Sequence, residues 1–188
     1  ASAVSFTNST AVPLLVDVTR EVRLDWKHEE SAYNDFRQAP LLFHMRSTEG
    51  PALCIGDVNG DGLDDVYSGG ARGQSGALFV QERNGRFRQT HQPALEADRM
   101  AEDTDCEFVD VDGDGIPELY VVSGSNETPG MPDRLYRIQA EGVLVRTEGL
   151  LPQPAKENGP TGVVRAADLD GDGDQDLFLG TRMALEYG

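Results

Sequence analysis

Asp57-Val-Asn-Gly-Asp-Gly-Leu-Asp-Asp65 returns twice without gaps, as Asp110-Val-Asp-Gly-Asp-Gly-Ile-Pro-Glu118 and as Asp168-Leu-Asp-Gly-Asp-Gly-Asp-Gln-Asp176. The shared pattern is D-x-[DN]-x-D-G-x-x-[DE], and its starts lie 53 and then 58 residues apart. A fixed loop recurring at such an interval marks a repeat architecture, in which each repeat is one supersecondary unit stacked on the next.

Four or five carboxylates crowded into nine residues repel one another unless a cation compensates them. The donors are oxygens, with no His or Cys among them, which disfavours zinc and copper and favours a hard ion. Calcium takes six to eight oxygens, and a tight loop supplies them from alternate positions. Here positions 1, 3 and 5 are Asp57, Asn59 and Asp61; Asp110, Asp112 and Asp114; and Asp168, Asp170 and Asp172. Position 7 offers the main-chain carbonyl of Leu63, Ile116 or Asp174, and position 9 closes each site with Asp65, Glu118 or Asp176. Up to three Ca²⁺ ions are expected. Glycine at position 6 (Gly62, Gly115, Gly173) permits backbone angles that a Cβ would penalise. Metal-free Asp-Gly turns are the bland alternative, and three loops of one spacing argue against it.

An EF-hand needs Glu at position 12, where this chain has Ser68, Val121 and Leu179, so that motif is excluded. Dockerin-like modules fail as well, since their loops lead into helices. Here apolar, β-prone stretches bracket every loop: Leu53-Cys-Ile55 and Val66-Tyr-Ser-Gly69, Phe108-Val109 and Leu119-Tyr-Val-Val122, Val163-Val164 and Leu177-Phe-Leu-Gly180. Two more strands complete each full period. Ala77–Gln81 meets Arg86-Phe-Arg88 across Arg83-Asn84-Gly85, an Asn-Gly hairpin signal, and Arg134–Ile138 meets Val143-Leu-Val145 across Ala140-Glu-Gly142. Four strands per period is the arithmetic of a propeller blade. The expected fold is all-β: about three blades of four-stranded antiparallel sheet, with the metal loop between the first two strands. The expected division is an N-terminal segment at 1–50, then repeats at 51–100, 101–159 and 160–188, the last truncated.

The net charge of −17 is localised. Thirteen of the 33 acids sit in the three loops, and without them the chain would stand near −4. Acidity placed this way argues for bound cations and against nucleic acid, whose phosphates it would repel. No apolar run approaches the ~20 residues that span a bilayer. Ala1 stands where an initiator Met would, which points to a processed or trimmed N-terminus, and no N-terminal Cys is present to carry a lipid. Cys54 and Cys106 precede their loops by three and four residues on equivalent strands. That opposite side-chain parity favours two buried free thiols over a disulfide between neighbouring repeats.

Ile55–Val66 and Asp168–Leu177 resemble the FG-GAP/VCBS repeats, the propeller repeats shared by integrin α-subunit heads and many secreted bacterial proteins. A closer likeness is to the bacterial proteins related to cartilage acidic protein, the ASPIC/UnbV group: Asp17-Val-Thr19 with Leu24-Asp-Trp-Lys-His28 resembles that group's opening, and Glu102-Asp-Thr104 the lead-in to its second blade. The resemblance implies calcium binding and a secreted or cell-surface location. Such families carry six to eight blades, so three imply an open arc. Its ends are covered either by further blades of the same polypeptide or by self-association, and Leu14–Val18 is a candidate closing strand.

Little else in the chain carries chemistry. His28, His44 and His91 are scattered; His28-Glu-Glu30 is a candidate acid/base pair, and no nucleophile elbow, phosphate loop or redox C-x-x-C motif is present. Trp26, Tyr33 and Phe36 suit blade packing better than glycan stacking. Asn8 and Asn126 match the N-glycosylation pattern. The expected function is a non-catalytic calcium module for adhesion or extracellular assembly, with a protein or glycan partner at the cell surface. The alternative is a lectin or polysaccharide lyase on a calcium-loop propeller.

Overall fold

The computed structural model describes residues 14–37, 39–48, 50–124, 127, 131–150 and 160–181. Ten strands form three antiparallel sheets. The first contains β1 (Leu53–Gly56), β2 (Asp65–Ser68), β3 (Ala77–Gln81) and β4 (Phe87–Thr90), in that order. The second repeats the plan with β5 (Asp105–Val109), β6 (Glu118–Val122), β7 (Arg134–Gln139) and β8 (Val143–Thr147). The third pairs β9 (Thr161–Ala167) with β10 (Asp176–Thr181). Each acidic loop joins the first two strands of its sheet. These are propeller-like blades in an all-β chain, and they do not close into a barrel.

Each strand boundary has a local cause. The Asn84-Gly85 turn places Gly85 at φ 78° and is closed by Glu82 N–H donating to the Arg86 carbonyl, so Arg86 belongs to the turn and β4 starts at Phe87. A short helix, α2 (Pro93–Ala97), interrupts the link to the second blade, with Pro93 in its first turn and Leu95 buried beneath it. Among the described residues, the N-terminal segment contributes α1 (Thr19–Val22) and a 3₁₀ turn at Asp35–Arg37. Leu14–Val18 pairs with no strand among the described residues, and Leu14, Leu15 and Val16 are exposed. Downstream, this segment is fastened to the first blade. Gln74 donates from its side-chain amide to the Lys27 carbonyl and accepts the Glu29 N–H, both within 2.9 Å.

The core lies between the sheets, and side-chain alternation decides which residues enter it. From the first blade come Cys54, Tyr67, Leu78 and Val80; from the facing side of the second come Cys106, Phe108, Leu119, Val121 and Tyr136. The opposite face of the second blade, with Val109, Tyr120, Val122 and Leu135, packs on Val164, Ala166, Leu177 and Leu179 of the third. Every blade thus has a back face and a forward face built from opposite parities of the same strands. Tyr67 and Tyr120, both at position 11 counted from their loop's first Asp, look forward and are 0% and 1% exposed.

A buried polar network joins the first two blades. Asp103, just ahead of β5, accepts the Tyr67 hydroxyl at 2.7 Å and the Gly70 N–H at 2.8 Å, and pairs with Arg134 of β7. Arg134 also donates to Ser123 Oγ at 3.1 Å. Burial works against the Arg134 charge, but the neighbouring Asp103 carboxylate outweighs it and holds the guanidinium protonated. Burial first, and then the Asp103 charge, push the Tyr67 hydroxyl well above its ordinary range, so it stays a donor.

Candidate metal centres

Each loop folds around its first aspartate. Asp57 Oδ1 accepts the Gly60 N–H at 2.8 Å and Oδ2 accepts the Gly62 N–H at 2.8 Å. Asp110 receives Gly113 and Gly115 in the same way, at 2.7 and 2.8 Å, and Asp168 receives Gly171 and Gly173, at 2.7 and 3.2 Å. Burial alone would raise the Asp57 carboxyl, yet the N–H groups of Gly62, Gly60, Asn59 and Asp61 prevail and bring it below the ordinary value. Position 6 requires glycine for backbone reasons: φ is 83°, 86° and 99° at Gly62, Gly115 and Gly173, and a Cβ there would meet nothing within 4 Å.

The side chains at positions 3 and 5 take the next N–H groups along the loop. Asn59 Oδ1 accepts from Asp61 and Asp170 Oδ1 from Asp172, while the position-5 carboxylates of Asp61, Asp114 and Asp172 accept from Leu63, Ile116 and Asp174. This curls the oxygens inward. Ligand oxygens of Asp110, Asp112 and Asp114 lie within 4.8 Å of one another, and so do those of Asp168, Asp170 and Asp176. Two oxygens bound to one Ca²⁺ are separated by at most about 5 Å, twice the ion–oxygen distance, so both trios fit a single ion. In the first loop the third position is the amide of Asn59, which lowers its charge by one. At the third loop Asp174 carries a further carboxyl, raised chiefly by its hydrogen bond with Asp172 and then by the Asp172 charge. When bound, calcium would supply the positive charge that lets all these carboxylates ionise together.

Position 9 does more than close a site. Asp65 is fully buried; its Oδ2 accepts the Val58 N–H at 3.0 Å and its Oδ1 the Gln81 N–H at 2.7 Å, tying the loop to β3. Glu118 accepts from Val111 at 3.1 Å and Asp176 from Leu169 at 2.9 Å. The acid at position 9 therefore staples the second loop residue to the sheet in all three repeats. Burial raises the Asp65 and Glu118 carboxyls despite these N–H contacts, with the nearby loop aspartates adding to it.

Sequence reading missed Arg137. Its guanidinium pairs with Asp112 and stands 3.6 Å from Glu118, so the second loop carries a built-in counter-charge. The position of Arg137 follows from the antiparallel register of the folded sheet, which sets Tyr136 opposite Leu119, one residue past the loop. The other candidates separate from the loops. His28 Nδ1 meets the Gly69 carbonyl of the first blade at 3.1 Å and Nε2 meets Glu30 of its own segment at 2.9 Å, so one ring nitrogen docks the N-terminal segment and the other is held within it. Trp26 and Tyr33 are half-buried, with the Trp26 ring 6.1 Å from that of His28, and Phe36 is exposed. Asn8 and Asn126 lie outside the described residues.

A family model described as FG-GAP-like repeat matches residues 57–121 and again 110–179, which together cover well over half of the chain. The chain belongs to the FG-GAP-like repeat family. Each match begins at the first aspartate of an acidic loop, so what defines the family here is the loop together with the strands it joins. No curated protein and no solved structure matches the chain. No helix among the described residues is long and apolar enough to cross a membrane.

Proposed function

We propose that this FG-GAP-like repeat chain is a calcium-stabilised propeller segment of the VCBS and ASPIC/UnbV kind, acting outside the cell in adhesion or assembly. The observation that carries the reading is the common geometry of three loops, each wrapped around its first aspartate, with carboxylate oxygens gathered within 4.8 Å of one another in the second and third. External calcium stands near millimolar concentrations, where modest loops of this kind fill. Titration of metal-stripped protein with Ca²⁺ in a calorimeter is expected to find two or three sites; one site or none overturns the reading.

The partner surface follows from the blade faces. Leu53 and Ile55 on the back of the first blade are 60% and 58% exposed, whereas their counterparts Cys106 and Phe108 in the second are 2% and 9% exposed. Phe178 on the forward face of the third blade is 60% exposed, where Tyr67 and Tyr120 are buried. Beside Tyr120, a groove of about 350 Å³ lined by Asp133, Leu135 and Thr147 marks the part of the second blade's forward face that β9 and β10 leave uncovered. These faces suit further blades of the same polypeptide, with Leu14–Val18 as a closing strand, or a second copy of the chain.

A further inference from the structure

We propose that Cys54 and Cys106 form a dithiol that closes to a disulfide across the interface of the first two blades. The two thiols are free and buried, as expected, at 8% and 2% exposure. The parity difference that seemed to separate them is what brings them together. In stacked copies of one sheet, the forward face of the first blade meets the back face of the second, and these faces carry opposite parities of the same strand. Cys54 lies on the forward side of β1 and Cys106 on the back side of β5, within one core cluster.

The local register agrees. β1 packs directly on β5, and a Cβ added at Gly56 would stand 2.8 Å from Cγ of Phe108. Two residues back along each strand, on the same facing sides, are Cys54 and Cys106. Cys54 is near enough to Cys106 to act, after burial, on its thiol and raise it. Gly56 leaves the room that Phe108 fills, which lets β1 and β5 approach closely beside the two cysteines. The link would tie the first strands of two blades and enclose about fifty residues of chain, a loop long enough for a cross-link to restrict the unfolded state appreciably.

The chemistry balances with a small-molecule disulfide as oxidant. Two thiols lose two protons and two electrons, one S–S bond forms, and the oxidant's S–S bond breaks to leave two thiols. The thiolate is the attacking species. Burial first, and then contact with Cys54, raise the Cys106 thiol, so exchange is suppressed once the blades have closed. Oxidation therefore belongs to the folding chain, before the interface forms. Afterwards the same burial shields the bond from reductant. The proposal rests on the extracellular reading above only for its compartment, and its test counts thiols whether or not calcium binds.

The full chain, refolded from denaturant in glutathione redox buffer and then alkylated under denaturing conditions, is expected to lose both free thiols. Its mass should fall by two hydrogens, and a single cross-linked peptide should join Cys54 to Cys106. The oxidised chain should melt several degrees above the reduced one. Two thiols still alkylated after refolding at a fully oxidising poise would overturn the proposal, as would recovery of only glutathione adducts or linked dimers. The Cys54→Ala, Cys106→Ala double variant supplies the control. If oxidising conditions raise its melting temperature equally, the bond is not the cause and the idea fails.

Discussion

Within a loop, residues of one chemical type have unequal tasks, and substitutions separate them. Asp61→Ala and Asp114→Ala each remove a position-5 carboxylate and are expected to weaken Ca²⁺ binding at their own loop about tenfold or more, or roughly 1.4 kcal/mol. Asp64→Ala, one residue short of the staple and fully on the surface side, should leave affinity within about twofold. Arg137→Ala should act in the opposite direction. Its guanidinium competes with the ion for Asp112, and a half-exposed pair of this kind is worth up to about 1 kcal/mol. Site-resolved calorimetry is therefore expected to show the second loop tightening by up to about fivefold. Unchanged affinity would mean that Arg137 swings away at no cost. The candidate ligand positions can be named from the sequence because they depend on spacing within nine residues. Arg137 cannot, because it reaches the loop from β7 through a register that only the folded sheet defines.

The loop, as an element, is both a candidate metal site and the joint between two strands, and the position-9 acid belongs to both. Asp65 satisfies a buried backbone N–H, that of Val58, and a part-buried one, that of Gln81. Asp65→Ala strands both, at about 1–3 kcal/mol for a buried donor left unpaired, so it should lower the melting temperature even in chelator. Asp61→Ala should lower it only in the presence of calcium. Equal behaviour of the two variants in chelator would show that position 9 is a ligand alone. Calcium saturating a site at a hundred times its Kd adds about 2.7 kcal/mol.

That gain has a definite pH dependence. Asp65 and Glu118 have carboxyls raised on folding, so in the metal-free protein they favour the folded state at pH below the ordinary carboxylate range. That contribution is lost as pH rises through their raised folded values. Bound calcium would hold the same groups ionised, so the melting-temperature difference between calcium and chelator is expected to be largest near neutral pH and to shrink on acidification. A constant difference from pH 7 to pH 4 would contradict it. Strands around the loops were readable from alternation and Asn-Gly turns. Helix α2 was passed over although Pro93 at its first turn is a recognised start signal, because five residues give too little periodicity to register.

For the molecule as a whole, the repeat spacing made the blades legible but not the way they face one another. Side-chain parity was read within one strand and applied to two equivalent strands as though they shared a side. Stacking reverses the relation, since one blade's forward face meets the next blade's back face. The same rule makes the end faces testable. Positions occupied by Cys106 and Phe108 in the second blade, and by Val164 and Ala166 in the third, are occupied by Leu53 and Ile55 in the first. The inner counterparts are packed, while Leu53 and Ile55 stand open. If another blade or a second copy covers them in the working molecule, each buries apolar surface worth about 1.5–3 kcal/mol. Replacing both, as Leu53→Lys with Ile55→Lys, then places two charges in a closed interface. The expected result is a lower melting temperature when further blades of the same polypeptide provide the cover, or a shift from dimer to monomer in sedimentation when a second copy does. The paired substitution Arg83→Ala with Arg86→Ala, at the exposed β3–β4 turn, should change neither. A Leu53, Ile55 double variant with unaltered melting temperature and unaltered mass would show that this face meets only water.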